Sequence, residues 1–364
     1  MESPRSSYAD DESSSIGRGT STIEESGRSS PAYSYHSSID GAVLLREVHG
    51  RTLNNTRDQY ILPVDMTEHN RLNVQHEMLK IKLGGLFLQP RAVQRALVPR
   101  NGSIPAVLDV GSGSGSWVLD MGEMFPHAEV VGLDLAPANL PREPTPNCRF
   151  ECDDVNFGLS HYKNSFDVVH ARCVDTGIAD YPHFLKDVHQ VLRPGGVFLS
   201  VSGSSKMLGK DFEPCVKGKV DPSVPSENNT ATLLAGFHEA ARARGAKTET
   251  FLYIRGWLEE MGKNAWSTVG ETTFYVPVGP WQESMTDKDR HIATLMNHDI
   301  IRLLASTRPS LLSYGYPEQV VDNWIEKAED ELRHMRKKMY VRWICTWAVK
   351  VGTPGEDPEE HNLT

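Results

Sequence analysis

Asp109, Gly111, Gly113 and Gly115, with Asp134 nineteen positions beyond the last glycine, are the residues of this 364-residue chain whose types and spacing point most directly to chemistry. An apolar run through Val107 and Leu108 ends on an acid, and three alternating glycines then let the backbone turn sharply and approach a ligand closely. A second apolar run, Glu129 to Leu133, delivers Asp134 where a carboxylate can accept from both hydroxyls of a ribose, with Leu135 beside it. Asp153-Asp154-Val155 follows a short strand-like stretch, Cys148 to Cys152, where a carboxylate can take the amino group of an adenine. Two adjacent acids are otherwise a solvated loop, and it is their place after a third strand that favours the ligand role. Together these residues describe a nucleoside site.

The rest of the ligand follows from what the loop lacks. A dinucleotide fingerprint needs its third glycine where this chain has Ser116, next to the bulky Trp117, and no Gly-Lys-Ser/Thr follows for a triphosphate. A diphosphate is therefore disfavoured. An acid, any residue and three alternating glycines is instead similar to the first motif of class I methyltransferases, which use S-adenosyl-L-methionine (SAM), an amino acid joined to an adenosine without phosphate. In that reading Asp109 orients the methionine end, the glycines admit the ligand, Asp134 holds the ribose, and Asp153 or Asp154 holds the adenine. His170, closing a fourth strand-like run from Phe166, is the candidate proton acceptor near the transferring methyl; the plainer reading is a strand-end histidine.

The elements that must position these residues recur in order. A helix is predicted from about Ser116, and Tyr181 to Leu192 carries Phe184, Leu185, Val188 and Leu192 at helical spacing. Arg193-Pro194-Gly195-Gly196 stops that helix before a fifth strand, Val197 to Val201. Upstream, structure is expected from Leu53, and Glu68 to Leu86 has helical spacing that Gly84-Gly85 loosens or ends; this segment fits a lid over the cofactor or a helix on the sheet's back. Downstream, helices are expected over about 228–244 and 255–261, and strand-like stretches over 265–269 and 272–276. Thr286 then caps one helix carrying Ile292 to Leu303, Pro317 opens a longer one reaching Met339, and Arg342 to Val351 reads as a last strand.

Composition narrows the class. Residues 1–40 hold 13 Ser and a net charge of −4, the tail from Gly352 another −4, so of the formal −10 the body carries only about −2. A nearly neutral body has no electrostatic footprint for gripping nucleic acid. The five cysteines form no Cys-x-x-Cys and have no clustered His partners, so no metal site or disulfide framework is expected. No apolar run approaches the length of a membrane span and no signal region opens the chain, so a soluble cytoplasmic protein is expected. The basic run Arg333, Arg336, Lys337, Lys338 is either a nuclear signal or cations favoured at a helix C-terminus. Ser29-Ser30-Pro31 beside Arg28 is a candidate phosphorylation site.

Residues outside the generic motifs carry a closer likeness. Tyr60-Ile61-Leu62-Pro63-Val64-Asp65, Glu68, Arg71-Leu72 and Gln75-His76 resemble the opening segment of the fungal LaeA-like methyltransferases. The likeness continues through Gly132-Leu133-Asp134-Leu135-Ala136-Pro137, Gly256-Trp257-Leu258-Glu259-Glu260-Met261-Gly262 and Val278-Gly279-Pro280-Trp281, covering about 50–351. One departure is visible: the family often has a cysteine or threonine in its glycine loop, where this chain has Ser112 and Ser114.

The resemblance implies an α/β fold with a class I, Rossmann-like sheet. The sheet would be mostly parallel with its last strand antiparallel, with an N-terminal helical lid and a C-terminal helical insertion. The expected organisation is a disordered Ser-rich tail (1–40), a lid segment (41–105), a methyltransferase domain (106–351) with its insertion at 286–340, and a disordered acidic tail (352–364). The family includes tailoring enzymes of secondary metabolism and a nuclear regulator that works with velvet proteins. It thus implies SAM as cofactor and leaves three functions open. The first is methylation of an oxygen or nitrogen of a small molecule, the second a regulatory methyltransferase with a velvet-type partner, and the third a SAM-binding module without turnover. The Asn/Asp-Pro-Pro-aromatic motif of nucleobase-amine methylases is absent after the fourth strand, which lowers a nucleic-acid acceptor.

Overall fold

A computed structural model describes residues 43–100 and 102–354, all within one compact unit; the Ser-rich segment and nearly all of the acidic tail lie outside them. The chain enters through a hairpin of β1 (Leu45–Val48) and β2 (Arg51–Asn54), eight residues before the expected start. Helix α1 (Met66–Leu83) begins where the Asp65 carboxylate accepts the Glu68 N–H at 3.0 Å and ends at Gly84, whose φ of 72° provides the left-handed turn. The same Asp65 carboxylate receives both Nε and Nη2 of Arg51, tying the hairpin to the helix. A short α2 (Pro90–Ala96) follows, which has too few residues to show a period in the sequence.

The αβ core then runs β3 (Ala106–Val110), α3 (Ser116–Met124), β4 (Glu129–Asp134), β5 (Cys148–Cys152), β6 (Phe166–Arg172), α4 (Tyr181–Val191) and β7 (Leu192–Gly203). After it come α5 (Asn229–Ala243), α6 (Ile254–Glu260), β8 (Trp266–Pro277), α7 (Asp287–Tyr314), α8 (Glu318–Arg333) and β9 (Tyr340–Lys350). The seven-stranded sheet has the order β5-β4-β3-β6-β7-β9-β8. Only β9 runs against its neighbours, so the fold is the mostly parallel sheet with an antiparallel last strand that the sequence implied.

Both faces of this sheet are covered, which is why its central strands are apolar without alternation. Val107, Val130 and Val168 pack with Trp117, Val118 and Met121 on one side. Leu108, Val131 and Val169 pack with Leu185, Val188 and Leu258 on the other. Each such fully buried side chain contributes about 1.5–3 kcal/mol. A third cluster, built from α1, α5, α7 and α8 against Val201, Val341 and Trp343, forms a helical wall beside the antiparallel end of the sheet.

Three details differ from expectation. β8 is one strand rather than two, because Gly270 lies flat under the Trp347 ring and does not interrupt pairing with β9. α7 is the longer of the two insertion helices and runs through Pro309, with Leu304 and Leu311 buried on either side of it. α8 stops at Arg333 rather than reaching Met339, since Met335 takes a left-handed φ of 50°.

Candidate functional site

The C-terminal ends of β3, β4 and β6 open into a cavity of about 230 Å³, the place where parallel αβ sheets bind ligands. Gly111 and Gly113 line it with φ of 68° and 53°. A Cβ on either would fall 2.5 Å from Val174 Cγ1 or 2.8 Å from Leu72 Cδ1, so the loop needs glycine for conformation and for space. Across the loop the Asp134 carboxylate accepts the Gly113 N–H at 2.8 Å and the Ala136 N–H at 3.2 Å. These backbone donors hold the carboxylate at the wall, while burial pushes its pKa above the usual carboxylate range.

Of the residues singled out in the sequence, Gly111, Gly113, Asp134, Leu135, Asp153, Asp154 and Val155 converge on this cavity. The adjacent acids divide their work. Asp154 is occupied, pairing with the Arg57 guanidinium at 2.5 Å and accepting from Asn156 N at 3.0 Å and Nδ2 at 2.6 Å. Asp153 is exposed and accepts only locally, from the Asp154 N–H at 2.7 Å, so it is the acid of the pair open to a ligand.

Asp109, Gly115 and His170 are not on the cavity wall. Gly115 precedes α3 with a φ of 75° and leaves no room for a Cβ beneath Leu140 and Phe150. Asp109 and His170 are register partners on β3 and β6. The Asp109 carboxylate meets His170 Nδ1 at 2.7 Å, and the imidazole stacks on Trp117 at 4.0 Å between centroids. Burial lowers the His170 pKa. Enclosed in this way, His170 braces two strands, in keeping with its plainer reading as a strand-end histidine. Asp109 is turned toward His170 and lies off the cavity wall.

A buried imidazole does line the cavity, at its far end: His238 of α5. Its Nδ1 lies 3.1 Å from Ser205 Oγ and its Nε2 2.8 Å from Thr248 Oγ1, and burial lowers its pKa, so the ring is a neutral bridge between two hydroxyls. The same cavity is lined by the apolar Met207, Phe237, Phe251, Ile300 and Trp343 and by the polar Asp175, Ser204 and Glu249. The Trp343 indole N–H has no hydrogen-bond partner among the described residues, and its ring lies over Gly203, where a Cβ would approach to 2.9 Å.

α1 contributes Arg71, Leu72 and Gln75 to the lining. Its Arg71 is buried between Glu68, at 2.6 Å, and Asp299 of α7, at 2.7 Å, and Gln75 donates to the same Asp299 at 3.2 Å. Tyr60 also lines the cavity, its hydroxyl kept protonated by burial and then by the nearby Asp134 and Glu68 carboxylates. The family-like segment had drawn attention to Tyr60, Arg71 and Gln75 without giving them roles. His238, Arg172 and Asp299 were missed, since each is a lone polar residue in an otherwise ordinary helix or strand.

Two carboxylates that accept hydrogen bonds and open backbone, without a phosphate-binding cation cluster in the loop, fit the hydroxyls and amino group of an adenosine. A methyltransferase-domain family profile matches residues 107–196. The secondary metabolism regulator laeA of Coprinopsis cinerea is 28% identical over 83% of this chain and 73% of its own length. Methyltransferase pytC of Aspergillus terreus is 29% identical over 64% of this chain and 65% of its own. The protein-methionine methyltransferase laeA of Emericella nidulans is 25% identical over 74% and 65%. The chain thus matches just under two thirds of the length of the latter two. Among solved structures, phosphoethanolamine N-methyltransferase 2 of Haemonchus contortus with SAM aligns at 17% identity, covering 82% of this chain and 62% of that one with a TM-score of 0.42.

Proposed function

We propose that this chain, a LaeA-like class I methyltransferase that uses SAM, transfers a methyl group to an oxygen or nitrogen of a small molecule of fungal secondary metabolism. The observation that carries the reading is the Asp134 carboxylate, fixed across the glycine loop and facing a cavity whose lining also includes Met207, Phe237, Phe251 and Trp343. Asp134 would accept from the ribose hydroxyls and Asp153 from the adenine amino group, with Leu135 and Val155 flanking the base. Gly111 and Gly113 would let the methionine end approach the backbone. When bound, the cofactor supplies an electrophilic methyl on a sulfonium that leaves neutral.

The chain's own contribution is alignment, exclusion of water and the acceptor's proton. α1 would serve as a lid, joined to α7 through Arg71 and Asp299. The apolar side chains of the lining suit the body of a small acceptor, and an acceptor hydroxyl or amine placed beside Ser205 or Thr248 would pass its proton toward the neutral His238 through these hydroxyls.

A second reading, a regulatory methyltransferase with a protein acceptor, has support in the relatives named regulator and protein-methionine methyltransferase; a velvet-type partner and a nuclear location belong to that reading through the family resemblance alone. Among the described residues no helix is long and apolar enough to cross a membrane. Mass spectrometry of the purified protein incubated with SAM and a fungal metabolite extract separates the readings. A metabolite gaining one methyl mass supports the first. Methylation confined to added protein, with metabolites unchanged, replaces it with the second.

A further inference from the structure

Resting on the assignment of the cavity to SAM, we infer that Arg172 receives the α-carboxylate of the cofactor's methionine end. Arg172 closes β6, next to the strand that leads into the glycine loop, and lines the cavity. Its side chain donates from Nη1 to His76 Nδ1 at 3.1 Å. That partner is a neutral ring, because burial lowers the pKa of His76. With Nδ1 accepting, Nε2 carries the imidazole proton and donates it to Asp120 at 3.0 Å. Asp120 is itself anchored by Lys80 at 3.0 Å and Arg142 at 2.6 Å.

The consequence is a buried guanidinium whose direct support is a neutral ring, with the carboxylates of Asp109 and Asp120 acting on it only from a distance. The other arginine on this wall, Arg71, differs in this respect, being paired with the carboxylates of Glu68 and Asp299. A cation in a low-dielectric cavity without an anionic contact is costly, and a carboxylate offered in the fork geometry of arginine offsets that cost. Of the charged groups on SAM, the carboxylate alone has the required sign. His76, Glu77 and Asp120 bring ligand atoms within 4.8 Å of one another, but Lys80, Arg142 and Arg172 already bond to them, so the cluster is an ion-paired support rather than a cation site.

The test compares SAM with decarboxylated SAM, which keeps the adenosine, sulfonium and amine and lacks only the carboxylate. Wild-type protein should bind SAM more tightly than the decarboxylated form by at least about tenfold. In Arg172→Gln that ratio should collapse toward one, through loss of SAM affinity, while the decarboxylated ligand binds as well or better because a repelling cation has gone. Arg172→Lys should keep part of the preference. A ratio that persists in folded Arg172→Gln overturns the assignment, as does a wild-type ratio near one, which needs no variant at all. Absence of binding by either ligand to the wild type would instead overturn the SAM assignment on which this one rests.

Discussion

Replacing Arg71 by methionine should destabilise the protein strongly and in a pH-dependent way. Arg71, Glu68 and Asp299 have side-chain exposures of 4%, 1% and 2%, so the substitution leaves two carboxylates in the interior without their shared cation. Removing one partner of a buried pair costs about 3–5 kcal/mol. Ser306 still donates to Glu68 at 2.5 Å and Gln75 to Asp299 at 3.2 Å, which places the expected loss near the lower end, about 3 kcal/mol.

The pH dependence follows from Asp299. Burial already raises its pKa, with Arg71 opposing that rise, so the variant's Asp299 should lie higher still. A carboxyl whose folded pKa exceeds its unfolded one destabilises the fold above that pKa and ceases to do so as the pH falls through it. Urea unfolding of Arg71→Met should therefore show the full deficit at about pH 8 and a smaller one at about pH 5. Adding Asp299→Asn should restore part of the loss at the higher pH. A deficit below about 1 kcal/mol, equal at both pH values, would refute the claim that this triad joins α1 to α7.

Two further outcomes follow from other contacts. Glu331 of α8 accepts the N–H groups of Asn229 and Thr230, both at 2.9 Å, at the start of α5; Glu331→Ala should cost about 2–3 kcal/mol in denaturant unfolding, and a neutral result would remove its role as a cap. His238→Ala should slow methyl transfer to a hydroxyl acceptor by about 10²-fold while SAM affinity stays within about twofold; an unchanged rate would take the proton path away from this histidine.

Much of the fold was legible because it depends on local signals. The strand, acid and glycine order placed β3, α3 and β4, and Thr286 capped its helix as expected, accepting the Asp289 N–H at 3.0 Å. Leu-Arg-Pro-Gly-Gly ends α4 as expected but forms the irregular start of β7, whose regular pairing with β6 resumes only at Val197. What stayed hidden needed three-dimensional information. Nothing local to His170 reveals that Asp109 and Trp117 enclose it, nor does the Ala-rich run around His238 show that Ser205 and Thr248 flank the ring. The division of labour between Asp153 and Asp154 likewise depends on Arg57, 97 residues from Asp154 in sequence. α7 likewise runs on past the expected Leu303 and through Pro309, where burial on both sides outweighs one lost helix hydrogen bond.

Calorimetric titration with SAM of the wild type and of Asp134→Ala tests the central claim most directly. The expected result is saturable binding by the wild type and at least about tenfold weaker binding by a folded variant, because one buried acceptor for the ribose is gone. Wild-type affinity should also fall as the pH drops through the raised pKa of Asp134, since ribose hydroxyls donate to the charged carboxylate. Equal affinities in the two folded proteins, or a wild type that does not bind SAM, would contradict the account.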